Sequence, residues 1–227
     1  MAMKKVKKRS KESEEQSSSS IDRRYIWLGG LGIAFLVAII LLIFLTRPQA
    51  VDPTIYDDLE AGSRVLGDPN APLLVRDFSD FKCPHCRQAS TSVVPRLIEE
   101  YVSTGQIRLE LVPVGFRDES LFAGQAALCA EDQGKFWPYH DILFENQENR
   151  FTIEQLLQYG RDLSMDDQLF RDCILSGKYR GQLEENGNEF RAVGGTGTPT
   201  FVVGDQTISS GVPSFETLES AISQQLQ

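Results

Sequence analysis

Hydrophobic positions are arranged in three different ways along this chain. From Tyr25 to Leu45 there is no charged or strongly polar side chain. After about residue 70 the pattern becomes periodic. Leu73-Leu74-Val75 followed by Phe78 predicts a buried strand. Ala89, Val93, Leu97 and Tyr101 recur at helical spacing up to Val102, with a kink expected at Pro95 and an end at Gly105. Ile107, Leu109 and Leu111 alternate, which predicts a second strand to Val114. Ser120 to about Phe190 reads as helical, interrupted near 146–150 and at Gly177, with Ser164 and Asp167 resembling a helix cap. Thr200 to Val203 and Gln206 to Ser209 read as strands around a Gly204-Asp205 turn. A last amphipathic helix starts near Ser214, with Phe215, Leu218, Ile222 and Leu226 on one face. The folded part is expected to begin near Pro72, in the order strand–helix–strand, helical block, strand–strand–helix.

The first apolar run matches the roughly 20 helical residues that a bilayer core requires. Tyr25 and Trp27 stand at one end, where amphipathic rings favour the membrane interface. Eight Lys or Arg face four acids in residues 1–24, whereas the whole chain carries −9. The basic tail therefore precedes an acidic body, which argues against nucleic-acid binding and, by the positive-inside rule, places the N-terminus in the cytoplasm. A cleaved signal peptide is the rival reading. Its apolar region is shorter, and Thr46-Arg47-Pro48-Gln49-Ala50 is a poor cleavage site. The expected organisation is a basic cytoplasmic tail (1–24), a transmembrane helix (25–46), a tether (47–65) and a folded domain (66–227) on the exported face.

Four cysteines occur, and Cys83 and Cys86 form a Cys-x-x-Cys directly after a strand and at the start of a helix. Free N–H groups at a helix N-terminus stabilise an anion, so the Cys83 thiolate is favoured there. His85 adds a donor, and Pro84 suits the first helical turn. Cys83 is expected to be the exposed attacking sulfur and Cys86 the resolving one. A stabilised thiolate stabilises the reduced form, so the disulfide becomes a better oxidant. Zinc would need two more ligands, and the only histidines are His85 and His140, so no metal site and no cofactor are expected. Gly194-Gly195-Thr196-Gly197 lacks the following Lys and helix of a phosphate loop. The second signature is Gly197-Thr198-Pro199-Thr200-Phe201. Taken alone it reads as a trans proline at a strand start.

Asp77-Phe78-Ser79-Asp80-Phe81-Lys82-Cys83-Pro84-His85-Cys86, together with Gly197 to Phe201, resembles the DsbA-like branch of the thioredoxin superfamily. Ala127-Leu128-Cys129-Ala130 and Gln133-Gly134-Lys135-Phe136-Trp137 are similar to its anchored members. The resemblance covers about 65–225. It implies an α/β thioredoxin fold with a helical insertion at about 118–190, here preceded by one N-terminal transmembrane helix. It implies a cis Pro199, with Thr198 and Pro199 beside the substrate. It implies disulfide donation to exported proteins, and a quinone-linked membrane oxidase as the reoxidising partner. It also carries a buried acid six residues before the first cysteine, which is Asp77. Such an acid can exchange the proton of Cys86.

Three questions stay open on sequence alone. Cys129 and Cys173 are two buried thiols, a second disulfide or a relay. His140 is a catalytic base or, on the preferred reading, a structural group in an aromatic cluster. The activity is oxidase, or alternatively reductase or isomerase on the same fold, or non-catalytic anchored binding.

Overall fold

The strand pairing of the fold explains why its sequence pattern changes along each strand. A computed structural model describes residues 35–41, 56, 59, 62–208 and 211–227. Five strands form one sheet, namely β1 (Val65–Leu66), β2 (Leu73–Ser79), β3 (Ile107–Pro113), β4 (Thr200–Val203) and β5 (Gln206–Ile208). Their order is β1-β3-β2-β4-β5. β2 runs parallel to β3 and antiparallel to β4, while β1 and β5 are antiparallel edges. In both β2 and β3 burial alternates at first and then becomes continuous over the last three residues. That end of the sheet is covered on both faces, and the cysteine motif leaves from it.

After β2 come α1 (Pro84–Ser92), α2 (Val94–Leu97) and a π-helical turn (Ile98–Val102). The break falls at Val93, ahead of Pro95. The proline ring cannot donate to the Thr91 carbonyl and crowds it, so the helix ends before reaching the ring. Gly105, at φ 72°, makes the left-handed turn into β3. The insertion holds α3 (Asp118–Glu131), α4 (Phe136–Glu145), α5 (Ile153–Asp162), α6 (Asp167–Ser176) and α7 (Arg180–Ala192). The chain closes with α8 (Phe215–Gln225), capped by the Ser214 hydroxyl, which accepts from the Thr217 N–H.

One large core lies between the sheet, α1 and the insertion, with Phe81, Trp137, Tyr139, Phe144 and Phe170 all fully buried. A smaller core of Phe78, Val112, Val114, Phe190 and Val202 occupies the other face, where α7 covers the sheet. The central helix α3 is buried around most of its circumference by Ala123, Gly124, Ala126, Ala127 and Ala130. These small residues let α6 and α7 approach closely. Cys129 on α3 and Cys173 on α6 are bonded across that approach, with Cα atoms 5.9 Å apart.

Three expectations change. The fold starts before Pro72, because β1 pairs with β3. Nor are residues 47–65 only a tether. Tyr56 is buried 5.9 Å from the Trp137 ring, and its hydroxyl donates to Asp141, since an aromatic ring is better placed in the core than in water. Ser164 does not cap α6. It takes φ 59° in the turn, and Asp166 accepts from the Leu169 N–H instead.

Phe35–Leu41 are helical. The rest of the expected 25–46 span, the basic tail, most of the tether and Ser209 lie outside the described residues. Among the described residues no helix is long and apolar enough to cross a membrane.

Candidate active site

Cys83 is the N-cap of α1, in extended conformation (φ −88°, ψ 119°), and Pro84 follows inside the first turn. Asp80 sets up this entry. Its carbonyl accepts from the Cys83 N–H at 2.9 Å, and its carboxylate accepts from the Lys82 N–H at 2.7 Å. The chain then turns so that Cys83 is half-buried and Cys86, one turn in, is fully buried. Both thiols are free, and the Asp80 N–H lies 3.4 Å from the Cys86 sulfur.

The two sulfurs have opposite electrostatics. Cys83 is brought down to about 5, first by the hydrogen bond from the Cys86 thiol. Burial opposes this, while the Thr198 side chain and the N–H groups of Cys86 and His85 assist it. Burial pushes the Cys86 thiol well up, and a charged Cys83 or Asp77 nearby adds to the rise. One sulfur of the pair is therefore an anion at neutral pH and the other holds its proton. His85 contributes to the thiolate through its backbone N–H, and its side chain is exposed.

Asp77, on the central strand, is 2% exposed and pairs in register with Leu111 and Phe201. Burial raises it to about 7, partly offset by the Ser79 hydroxyl, which donates at 2.7 Å, and helped by the charge at Cys83. An acid beneath the pair thus titrates in the range where exchange takes place.

The Thr198–Pro199 bond is cis. Pro199 is buried just ahead of β4, and the Thr198 carbonyl lies 3.3 Å from the Cys83 sulfur. The Thr200 hydroxyl donates to the Gly197 carbonyl and closes this turn. The structure thus brings Asp77, Cys83, Cys86, Thr198 and Pro199 to one end of the sheet. Cys129 and Cys173 are bonded to each other in the insertion.

His140 is fully buried between Trp137, Phe81 and Phe144. Its Nδ1 is 2.8 Å from the Asp141 carboxylate, and its ring backs onto Phe81 rather than reaching a sulfur. Among the described residues no cluster of three His, Cys, Asp or Glu side chains is placed to hold a metal. A cleft of about 600 Å³ opens between α3 and α7, lined by Leu121, Phe122 and Leu183. No cysteine lines it, so the sulfur chemistry lies elsewhere.

Sequence reasoning passed over the contacts of Gln147 and Lys82. The Gln147 side-chain amide donates to the carbonyls of Phe81 and Cys83, and Lys82 Nζ donates back to the carbonyls of Gln147 and Asn149. The only sequence signal was the break in helical pattern near 146–150, which marks a loop without naming its contacts.

A family model described as thioredoxin matches residues 60–224. A probable disulfide bond formation protein D of Bacillus anthracis is 28% identical over 88% of this chain and 97% of its own length. Among solved structures, Chlamydia trachomatis DsbA is 30% identical with TM-score 0.61, covering 71% of this chain and 90% of that one. BdbD from Bacillus subtilis, in its oxidised form, is 24% identical with TM-score 0.65 over 73% and 93%, which is a likeness of fold.

Proposed function

The chain belongs to the thioredoxin family, as a DsbA-like protein disulfide oxidoreductase, and we propose that it donates the Cys83–Cys86 disulfide to exported proteins. The observation that carries the direction is the lowered Cys83 thiol beside a raised, buried Cys86. A thiolate held at about 5 is a stable product of reduction, so the oxidised pair tends to give up its disulfide.

The proposed sequence begins when a substrate thiolate attacks the half-buried Cys83 sulfur, the more accessible of the two. The Cys83–Cys86 bond breaks, and Cys86 departs and takes a proton, with Asp77 as the nearby acid. A second substrate thiolate then attacks the substrate sulfur of the mixed disulfide. Cys83 leaves as the thiolate, an easy departure for a low-pKa group. The substrate has lost two electrons, and the cysteine pair has gained them. Thr198, whose carbonyl already faces Cys83, is placed to pair with an extended substrate segment, and Pro199 holds that turn. A quinone-linked membrane oxidase would accept the two electrons and restore the disulfide.

We place the domain on the exported face, held by the apolar run from Tyr25 to Leu45, with the basic residues 1–24 in the cytoplasm. Protease added from the exported side should then remove the folded domain and spare the tail. Recovery of a chain starting near Ala50 would instead show a cleaved signal peptide. The direction is tested by acid-quenching cells and alkylating free thiols. A resting pair that is mostly oxidised fits donation, and a mostly reduced pair means a reductase or isomerase.

A further inference from the structure

We propose that Gln147, supplied by the helical insertion, is a positioning residue for the cysteine motif, its side-chain amide holding the Cys83 backbone so that the first N–H groups of α1 meet the sulfur. The proposal rests on the disulfide-exchange reading of this site. The chain leaves α4 through Asn146, and the Gln147 N–H still reaches back to the Phe144 carbonyl. Gln147 is thereby turned inward, at 3% exposure, against the segment from Phe81 to Cys83.

Burying a primary amide is unfavourable where its polar atoms stay unpaired, and in Gln147 the Oε1 meets no partner among the described residues, so the burial rests on its donors. Both protons of Gln147 Nε2 are used, one on the Phe81 carbonyl and one on the Cys83 carbonyl, each at 2.9 Å. The Cys83 carbonyl also accepts the first bond of α1, from the Arg87 N–H at 3.2 Å. Gln147 therefore grips the helix at the residue whose conformation decides where the sulfur sits. Its partner loop is held in return. Lys82 Nζ donates to the Gln147 carbonyl at 2.7 Å and the Asn149 carbonyl at 3.0 Å, and lies 4.9 Å from the centre of the Phe151 ring. Phe81 adds a third hold, its ring packed on Phe144 and His140 of α4. A side chain that merely filled space would not direct both protons at the backbone of the cysteine turn. The insertion thus acts on the sulfur without touching it, by fixing the helix end whose N–H groups favour the thiolate.

The test is Gln147→Met in the full chain, which keeps length and volume and removes both donors. The Cys83 titration midpoint, read from thiolate absorbance, should rise towards the ordinary thiol value. A rise of one unit would slow alkylation at pH 5 by about fivefold. The reduction potential should move in the less oxidising direction. Turnover of a reduced peptide should fall in kcat with KM little changed. Gln147→His, which keeps one N–H donor, should recover part of each shift. A folded Gln147→Met protein with the wild-type titration and potential would overturn the proposal. If that variant does not fold, the wild-type protein decides by NMR. Couplings across hydrogen bonds from Gln147 Nε2 to the Phe81 and Cys83 carbonyl carbons are expected, and their absence overturns the assignment. Wild-type exchange activity is measured alongside. An inactive wild type whose thiolate still shifts in the variant sinks the exchange reading alone, and an active wild type with no shift sinks only the role of Gln147.

Discussion

The two cysteine pairs share a chain and differ in almost everything that controls sulfur chemistry. Cys83 sits at the open end of a helix, half-buried, with N–H groups and Thr198 around it. Cys129 lies in the last turn of α3, 1% exposed among alanines and Leu128, bonded to Cys173 on the neighbouring helix. One pair is three residues apart and reachable by a partner. The other closes a separation of 44 residues, with one sulfur inside the core. The contrast teaches that reactivity here comes from the helix N-terminus and exposure, while a buried sulfur in the C-terminal turn of a helix becomes a brace.

The sharpest way to break the comparison is to delete one sulfur from each pair. Cys83→Ser should abolish exchange with a reduced test protein. Cys86→Ala should instead accumulate reductant-sensitive adducts on Cys83, seen by non-reducing electrophoresis. If Cys83→Ala forms the adducts and Cys86→Ala does not, the two roles are reversed. The double variant Cys129→Ala/Cys173→Ala should keep exchange near wild type. Its loss should appear in denaturant unfolding of the oxidised protein, up to about 4 kcal/mol for a loop of this length in the chain-entropy picture. Equal losses of activity from both pairs would erase the distinction.

A smaller effect separates the two carboxylate and thiol titrations beside the active pair. Asp77 is raised from 3.8 to about 7 on folding, so its favourable contribution is full below pH 3.8 and is lost as pH rises to about 7. Cys83 is lowered from 9.0 to about 5, so its contribution is full above pH 9 and is lost as pH falls to about 5. Between pH 5 and 7 the two oppose each other in the reduced protein. Denaturant titrations of reduced Asp77→Asn should therefore show stability rising with pH across that window, whereas the oxidised wild type, which lacks the Cys83 thiol, should lose stability there. An unchanged pH profile in Asp77→Asn would remove the carboxyl from the account. The smallest effect is expected from His85→Ser. Only the backbone N–H of His85 assists the thiolate, and serine retains it, so the Cys83 midpoint should move by a few tenths of a unit at most. A shift of a full unit would restore a role to the imidazole.

Residues that announce chemistry by local order were legible in the sequence. Cys83, Pro84 and Cys86 follow a strand and open a helix, and the resemblance that rests on them and on Pro199 pointed to Asp77 as well. What escaped was set by contacts distant along the chain. Gln147 meets Phe81 and Cys83 across 66 and 64 residues, and no periodicity marks an amide for that task. Tyr56 looked like part of a tether because its partner, Trp137, lies in the insertion. β1 has only two residues, too few for alternation to declare a strand. The pairing of Cys129 with Cys173 stayed open for the same reason, since a cysteine's position in one helix does not name the helix that faces it.

The most direct test of the central claim, that Cys83 is built to leave as a thiolate, is the reduction potential of the full chain equilibrated with glutathione at pH 7. A disulfide donor with this sulfur should lie nearer the strongly oxidising end of the family, about −120 mV, than the reducing end, about −270 mV. A value at or below about −270 mV would contradict the account, because a pair that holds its disulfide so firmly cannot be the donor described here.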